Sequence, residues 1–249
     1  MKRSKIIVIL LSLALVVSIS LGLALTSSAA NWGFFSREDK DPSSYAYSMA
    51  IVGDTQSLVD SDVKNAGVAG YEPRLEKVYD WLVANAESKK IEMVLGLGDI
   101  TETWNEAAYP DAFKAEWELA VSQISKLNGK IPYTLVRGNH DTENGFNTYI
   151  GGMNGYTDQF SGDDAGFMYD DDYATSYRKV QISGTKWLIL TLDWAPTGAE
   201  LDWAADIIKL NPNYGVIITL HDYLYHDMTL DGEGDSADTA KHNPNWDDS

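Results

Sequence analysis

Short unbroken apolar runs alternate along this chain with stretches in which apolar residues return every third or fourth position. The runs at 45–52, 91–97 and 131–136 predict buried strands, and each stops at a polar turn that contains glycine. Between the first two, Pro73 followed by Leu75, Val78, Tyr79, Leu82 and Ala86 marks an amphipathic helix, and the residues before it, 57–71, read as a loop. Phe113, Trp117, Ala120 and Ile124 share one face of a second helix over about 111–127, with Gly129 as its stop. This β-α-β-α-β order predicts a parallel sheet with right-handed crossovers. Residues 142–174 break the pattern; rich in Gly, Asp, Asn and Tyr, they read as a long surface excursion. Runs at 175–182 and 186–192, joined through Ser183-Gly184-Thr185, predict an antiparallel hairpin and with it a second sheet packed on the first. Thr197 and Glu200 form a capping box that opens a helix to about Leu210, and 214–220 is a last buried strand.

The polar residues just past these strands carry the chemistry. They are Gly53-Asp54-Thr55-Gln56, Gly98-Asp99-Ile100-Thr101-Glu102, Arg137-Gly138-Asn139-His140-Asp141 and His221. In a parallel sheet the ends of adjacent strands lie on one edge, so Asp54, Asp99 and Asn139 converge although they are far apart in sequence. Gly138 lacks the Cβ that would hinder so tight a turn. Asp54, Gln56, Asp99, Asn139 and His221 make an oxygen-rich set with one imidazole, which suits manganese, iron, magnesium or zinc. A carboxylate placed as Asp99 is can bridge two divalent cations, and such a pair clamps a phosphate and activates water. His140 then suits a general acid for the leaving group, with Glu102 orienting its ring.

In these blocks the sequence resembles the calcineurin-like metallophosphoesterase family, whose pattern runs Asp-x-His, Gly-Asp-x-x-Asp, Gly-Asn-His-Asp/Glu, a lone His, then Gly-His-x-His. The likeness covers about 48–225. Gly98-Asp99 and Gly138-Asn139-His140-Asp141 match closely, and His221 after its strand matches the fourth block. The resemblance implies an α/β fold, a four-layer α-β-β-α sandwich. It implies that Asp54 holds one metal, Asp99 bridges, Asn139 and His221 hold the second, and Asn139 and His140 meet the substrate phosphate. Two departures stand out. Gln56 occupies the place of the usual His, and the Gly-His-x-His block is absent, with His226 and His242 the only other histidines. The chain therefore reads as a domain cut short at its C-terminus.

The start of the chain adds an address. Lys2, Arg3 and Lys5 precede an apolar stretch at 6–25, and Ser28-Ala29-Ala30 follows with the small residues a signal peptidase accepts. Residues 1–30 are a signal peptide or an N-terminal anchor, 31–44 a linker and 45–249 the domain. The expected location is secreted or extracytoplasmic, with membrane attachment only if the first segment is retained. With no cysteine, the exported part has no disulfide framework and cannot be a lipoprotein. The formal net charge of -18 argues against nucleic acid or anionic membrane as partners. Asp170-Asp171-Asp172 reads as a solvated acidic turn. The run from Asp231 has Ser236 and His242 where a calcium loop needs Gly and Glu, so it is not one. The expected partner is a small-molecule phosphoester, with Tyr223 and Tyr225 beside His221 as candidate cleft residues. The alternative is a non-catalytic exported binding domain on the same fold.

Overall fold

The computed structural model describes residues 41–222, so the signal or anchor segment, most of the linker, and Tyr223, Tyr225, His226 and His242 lie outside the described residues. Strands β1 (Ser48–Val52), β2 (Ile91–Gly96) and β3 (Tyr133–Leu135) form the first sheet in that order, parallel throughout as the sequence predicts. Helices α1 (Gln56–Lys64) and α2 (Arg74–Asn85) connect β1 to β2, and α3 (Pro110–Ile124) connects β2 to β3.

Helix α1 corrects the reading of 57–71 as a loop. It buries only Val59 and Asp62, too little apolar surface to print a period on the sequence. Its role is polar as much as apolar. The Asp62 carboxylate accepts the N–H groups of Arg74 (3.0 and 2.9 Å) and Leu75 (2.8 Å), capping α2. Pro73, directly before α2, has no side-chain oxygen to offer those orphan donors.

Residues 142–174 are also more structured than a surface excursion. They form α4 (Glu143–Tyr149), α5 (Asn154–Thr157) and β4 (Ala165–Phe167). Thr142 caps α4 through the Gly145 N–H (3.0 Å), and Phe146 and Ile150 are fully buried. These elements are too short for periodicity to mark. Aromatic packing holds them instead: Tyr156 meets Phe160 and Phe167 meets Tyr173 edge to face, each pair at 5.0 Å, and Phe160 lies tilted against Phe167 at 4.4 Å.

The second sheet runs β4, β5 (Ser176–Ile182), β6 (Thr185–Thr191) and β7 (Gly215–Thr219). The hairpin between β5 and β6 closes at Ser183 and Gly184, with φ of 48° and 81°, the positive values a two-residue turn requires. Helix α6 (Gly198–Leu210) opens on the capping box of Thr197 and Glu200 and brings β7 back parallel to β6.

Three apolar clusters show four layers. Val94, Tyr133 and Leu135 face α1, α2 and α3 with Val59, Leu75, Leu82 and Trp117. The alternate residues of β2, Met93 and Leu95, turn inward to Ile182, Ile189 and Ile217 of the second sheet. Beyond that sheet, Leu188, Leu190 and Val216 pack on Ala204 of α6. The architecture is an α-β-β-α sandwich of the kind the sequence predicts. Among the described residues, no helix is long and apolar enough to cross a membrane.

Candidate metal centre

The strand ends meet where the two sheets face each other. Asp54 follows β1, Asp99 follows β2, Asn139 follows β3 and His221 follows β7. Asp99 sits in a left-handed conformation (φ 48°) behind Gly98 (φ 94°), and its carbonyl accepts the N–H groups of Thr55 and Gln56, both at 2.9 Å. Glycine is required at 138, because a Cβ there would lie 2.1 Å from the Asp99 amide and 2.3 Å from its Oδ1. The β2 and β3 turns are thereby locked together.

The Asp99 carboxylate, almost fully buried, accepts the His140 N–H at Oδ1 (2.9 Å) and the Gln56 side-chain N–H at Oδ2 (2.9 Å). His221 donates Nδ1–H to the Leu97 carbonyl (2.8 Å), which turns its Nε2 toward the other strand ends. That nitrogen stands 3.0 Å from Asn139 Oδ1 and 3.5 Å from Asp99 Oδ1. Asp54 Oδ1 lies 3.9 Å from His221 Nδ1. Burial raises the Asp54 pKa, the nearby His221 opposes this, and the Asp99 charge adds to the rise.

Among the described residues, no group of three or more His, Asp or Glu side chains is arranged to hold a metal by itself. The set that fits a divalent cation must include amide oxygens, and the structure offers them. Gln56 Oε1 is buried with no hydrogen-bond partner, which is costly for an oxygen with nothing to bind. Around His221 Nε2, the Asn139 and Asp99 oxygens converge from two further strand ends within 3.5 Å of the ring nitrogen. A divalent cation bound there would give these groups a partner. The residues therefore fit the group the sequence suggests, with Gln56 and Asn139 as neutral donors.

His140 stands beside this cluster with its Nδ1 held at 3.0 Å by the carbonyl of Glu102. The sequence suggested that Glu102 orients the ring; the main-chain oxygen makes the bond, while the carboxylate stands at 3.9 Å. Burial pulls the imidazole pKa down, but the Glu102 carbonyl and the charges of Asp99, Glu102 and Asp141 outweigh it, and the net shift is upward.

Three acidic residues that support the site carry no sequence signal for that role. Asp141, buried, accepts N–H groups from Ile100 (2.9 Å), Thr101 (3.0 Å) and Gly138 (2.9 Å), stapling the β2 and β3 turns, and burial pushes its carboxyl up to about 6. Glu116 of α3 accepts the N–H groups of Glu102 (2.9 Å) and Thr103 (2.8 Å) and the Thr103 hydroxyl (2.7 Å), so it fixes the loop that holds His140. Asp193, after β6, takes a two-pronged bond from Arg137, Nε to Oδ1 at 2.8 Å and Nη2 to Oδ2. The backbone positions these carboxylates serve lie far away in sequence, so only the fold reveals them. Asp170 and Asp171 are exposed on the loop, whereas Asp172 is half-buried, accepts the Ala174 N–H (3.1 Å) and adds its charge to those acting on Arg137.

A family model for calcineurin-like phosphoesterase matches residues 47–246. The chain belongs to that family. Its members are phosphoesterases by type, and the resemblance read from the strand-end blocks agrees with the match. A relative in Bacillus subtilis (strain 168), the uncharacterized protein YvnB, is 24% identical over 221 residues, covering 84% of this chain and 15% of its own length. This chain thus spans a small part of that relative. The crystal structure of AQ665, a protein of unknown function from Aquifex aeolicus, is similar over 78% of this chain and 85% of its own, at 16% identity and a TM-score of 0.30. A likeness that weak carries no argument about the site.

Proposed function

We propose that this chain is an exported, metal-dependent phosphoesterase that hydrolyses phosphomonoesters or phosphodiesters at a dinuclear centre. Asp54, Gln56 and Asp99 would hold one divalent ion (manganese, iron, zinc or magnesium), and Asp99, Asn139 and His221 the other. The observation that carries this reading is the approach of Asn139 Oδ1 (3.0 Å) and Asp99 Oδ1 (3.5 Å) to His221 Nε2. Bound there, such ions would neutralise phosphoryl oxygens and activate water.

The remaining steps fall to the protein. Asn139 and His140 orient the phosphate. As water attacks phosphorus and the bond to the leaving oxygen breaks, His140 gives that oxygen its Nε2 proton, because Nδ1 is committed to Glu102. The Glu102 carbonyl and the charges of Asp99, Glu102 and Asp141 raise the His140 pKa, which favours the protonated ring this step needs. Export rests on the basic and apolar N-terminal segment.

A second reading is a binding domain that holds a phosphorylated ligand without turnover. Gln56 favours it, since a neutral amide replaces the family's imidazole and binds metal more weakly. Assaying a generic aryl phosphate while manganese is added separates the two. Saturable, metal-dependent release of the aryl alcohol supports the enzyme. Metal-dependent phosphate binding without release supports the binding domain.

A further inference from the structure

The loop that carries Glu102 continues into a feature the proposed chemistry does not use. Trp104 is 61% exposed, two residues beyond the carbonyl that holds His140. At no more than about 3.6 Å of chain per residue, its Cα lies within about 7 Å of Glu102, close enough for an indole to reach the space beside His140. An exposed indole on a loose loop would mean little. This loop is pinned on both sides of Trp104. Glu116 takes both N–H groups and the hydroxyl at 102–103. On the far side, Asn105 Oδ1 accepts the Ala108 N–H (3.0 Å), and Glu106 accepts an amide hydrogen of Asn144 in α4 (3.0 Å). A buried carboxylate on three donors fixes the main chain from which the indole projects. Holding a large apolar ring in water at a defined place beside a reactive imidazole is what a stacking platform requires.

We propose that Trp104 is a specificity residue that stacks on the leaving group, and that the preferred substrates are phosphoesters whose leaving alcohol carries a flat aromatic ring. The Glu102 carboxylate stands 3.9 Å from the His140 ring and Glu106 follows two residues after Trp104, and both charges repel a leaving group bearing phosphates of its own. The preferred leaving group is therefore aromatic and uncharged. This inference rests on the phosphoesterase reading for its catalytic arm only.

The test compares benzyl phosphate with cyclohexylmethyl phosphate. Both release a primary alcohol of similar size, and they differ in whether the ring is flat and aromatic or puckered and saturated. With manganese present, the full chain should show a higher kcat/KM for the benzyl ester, and Trp104→Ala should reduce the ratio of the two values by roughly three- to tenfold. Trp104→Phe should keep most of it. Trp81→Ala, which removes an exposed indole on α2, is the control and should leave the ratio as it is. Calorimetry with benzylphosphonate and cyclohexylmethylphosphonate supplies a readout without turnover. Hydrolysis of both esters at a ratio that Trp104→Ala does not move would overturn the platform and leave the phosphoesterase standing. Tighter benzylphosphonate binding that Trp104→Ala abolishes, with no hydrolysis of either ester, would keep the platform and remove the catalytic reading. Neither binding nor hydrolysis would overturn both.

Discussion

Asp99 is engaged at every oxygen it has: its carbonyl holds the turn after β1, Oδ1 holds the His140 amide, and Oδ2 holds Gln56. In Asp99→Asn, one of those oxygens becomes an N–H that faces another N–H, and the shared negative charge is lost. Metal content by elemental analysis and hydrolytic rate should both fall. His140→Ala should instead keep its metal and lose about two to four orders of magnitude in rate. Equal metal loss in the two variants would make His140 a ligand. A general acid must be protonated, so the rate should decline as pH rises through the His140 pKa, which is held above the imidazole norm. Glu102→Gln removes one of the charges that raise it, so the alkaline limb of the pH profile should move to lower pH. A limb that stays in place would assign it to another group. At this scale the sequence was informative for Asp54, Asp99 and Asn139, because each directly follows an apolar run and a turn glycine. It marked Asp141 only as the last residue of a matching block, without its role, and was silent on Glu116; both hold backbone N–H groups that only the fold brings near.

Elements differ in how openly they announce themselves. Helices α2 and α3 bury a full apolar face and are legible, as is α6 through its capping box. Helix α1 is not, because it contributes chiefly a buried carboxylate to the start of α2. The short α4, α5 and β4 are held by aromatic contacts that no local rhythm records. Glu116 ties α3 to the loop after β2, which links helix packing to the position of the His140 ring. Glu116→Ala would leave two buried N–H groups and a hydroxyl without partners, at a cost of about 1–3 kcal/mol for each group left unsatisfied. Urea unfolding should register the loss, and the rate should drop because Glu102 no longer fixes the His140 ring. Thr197→Ala offers the contrast. It breaks the α6 capping box and should cost about 1 kcal/mol with little change in rate, since α6 packs on the outer face of the second sheet. Similar rate losses in both variants would show that stability alone, and not the loop contact, governs activity.

Across the whole molecule, the site depends on two sheets keeping one alignment. Asp54, Asp99 and Asn139 come from the first sheet and His221 from the second. Besides the apolar contact between the sheets, Arg137 at the end of β3 grips Asp193 at the end of β6, both mostly buried. Burial pushes the Asp193 carboxyl above its usual range even though Arg137 draws it down, so the pair is held against a desolvation penalty. Asp193→Ala leaves a buried guanidinium alone and should destabilise by about 3–5 kcal/mol, whereas the double variant Arg137→Met with Asp193→Leu should recover much of that in a thermal melt. Equal losses in the single and double variants would mean that the pair contributes more than the removal of an uncompensated charge. The two packed sheets were legible from the β-α units and the hairpin, and the four-layer order was implied by the family resemblance, but this link between sheets was not legible, because Asp193 follows β6 with no motif around it. The central claim, that strand ends from both sheets form one metal centre, is tested most directly by anomalous diffraction from crystals equilibrated with manganese. The account predicts two anomalous peaks within the ring of Asp54, Gln56, Asp99, Asn139 and His221, with Asp99 between them. Peaks elsewhere, or none at saturating manganese, would contradict it.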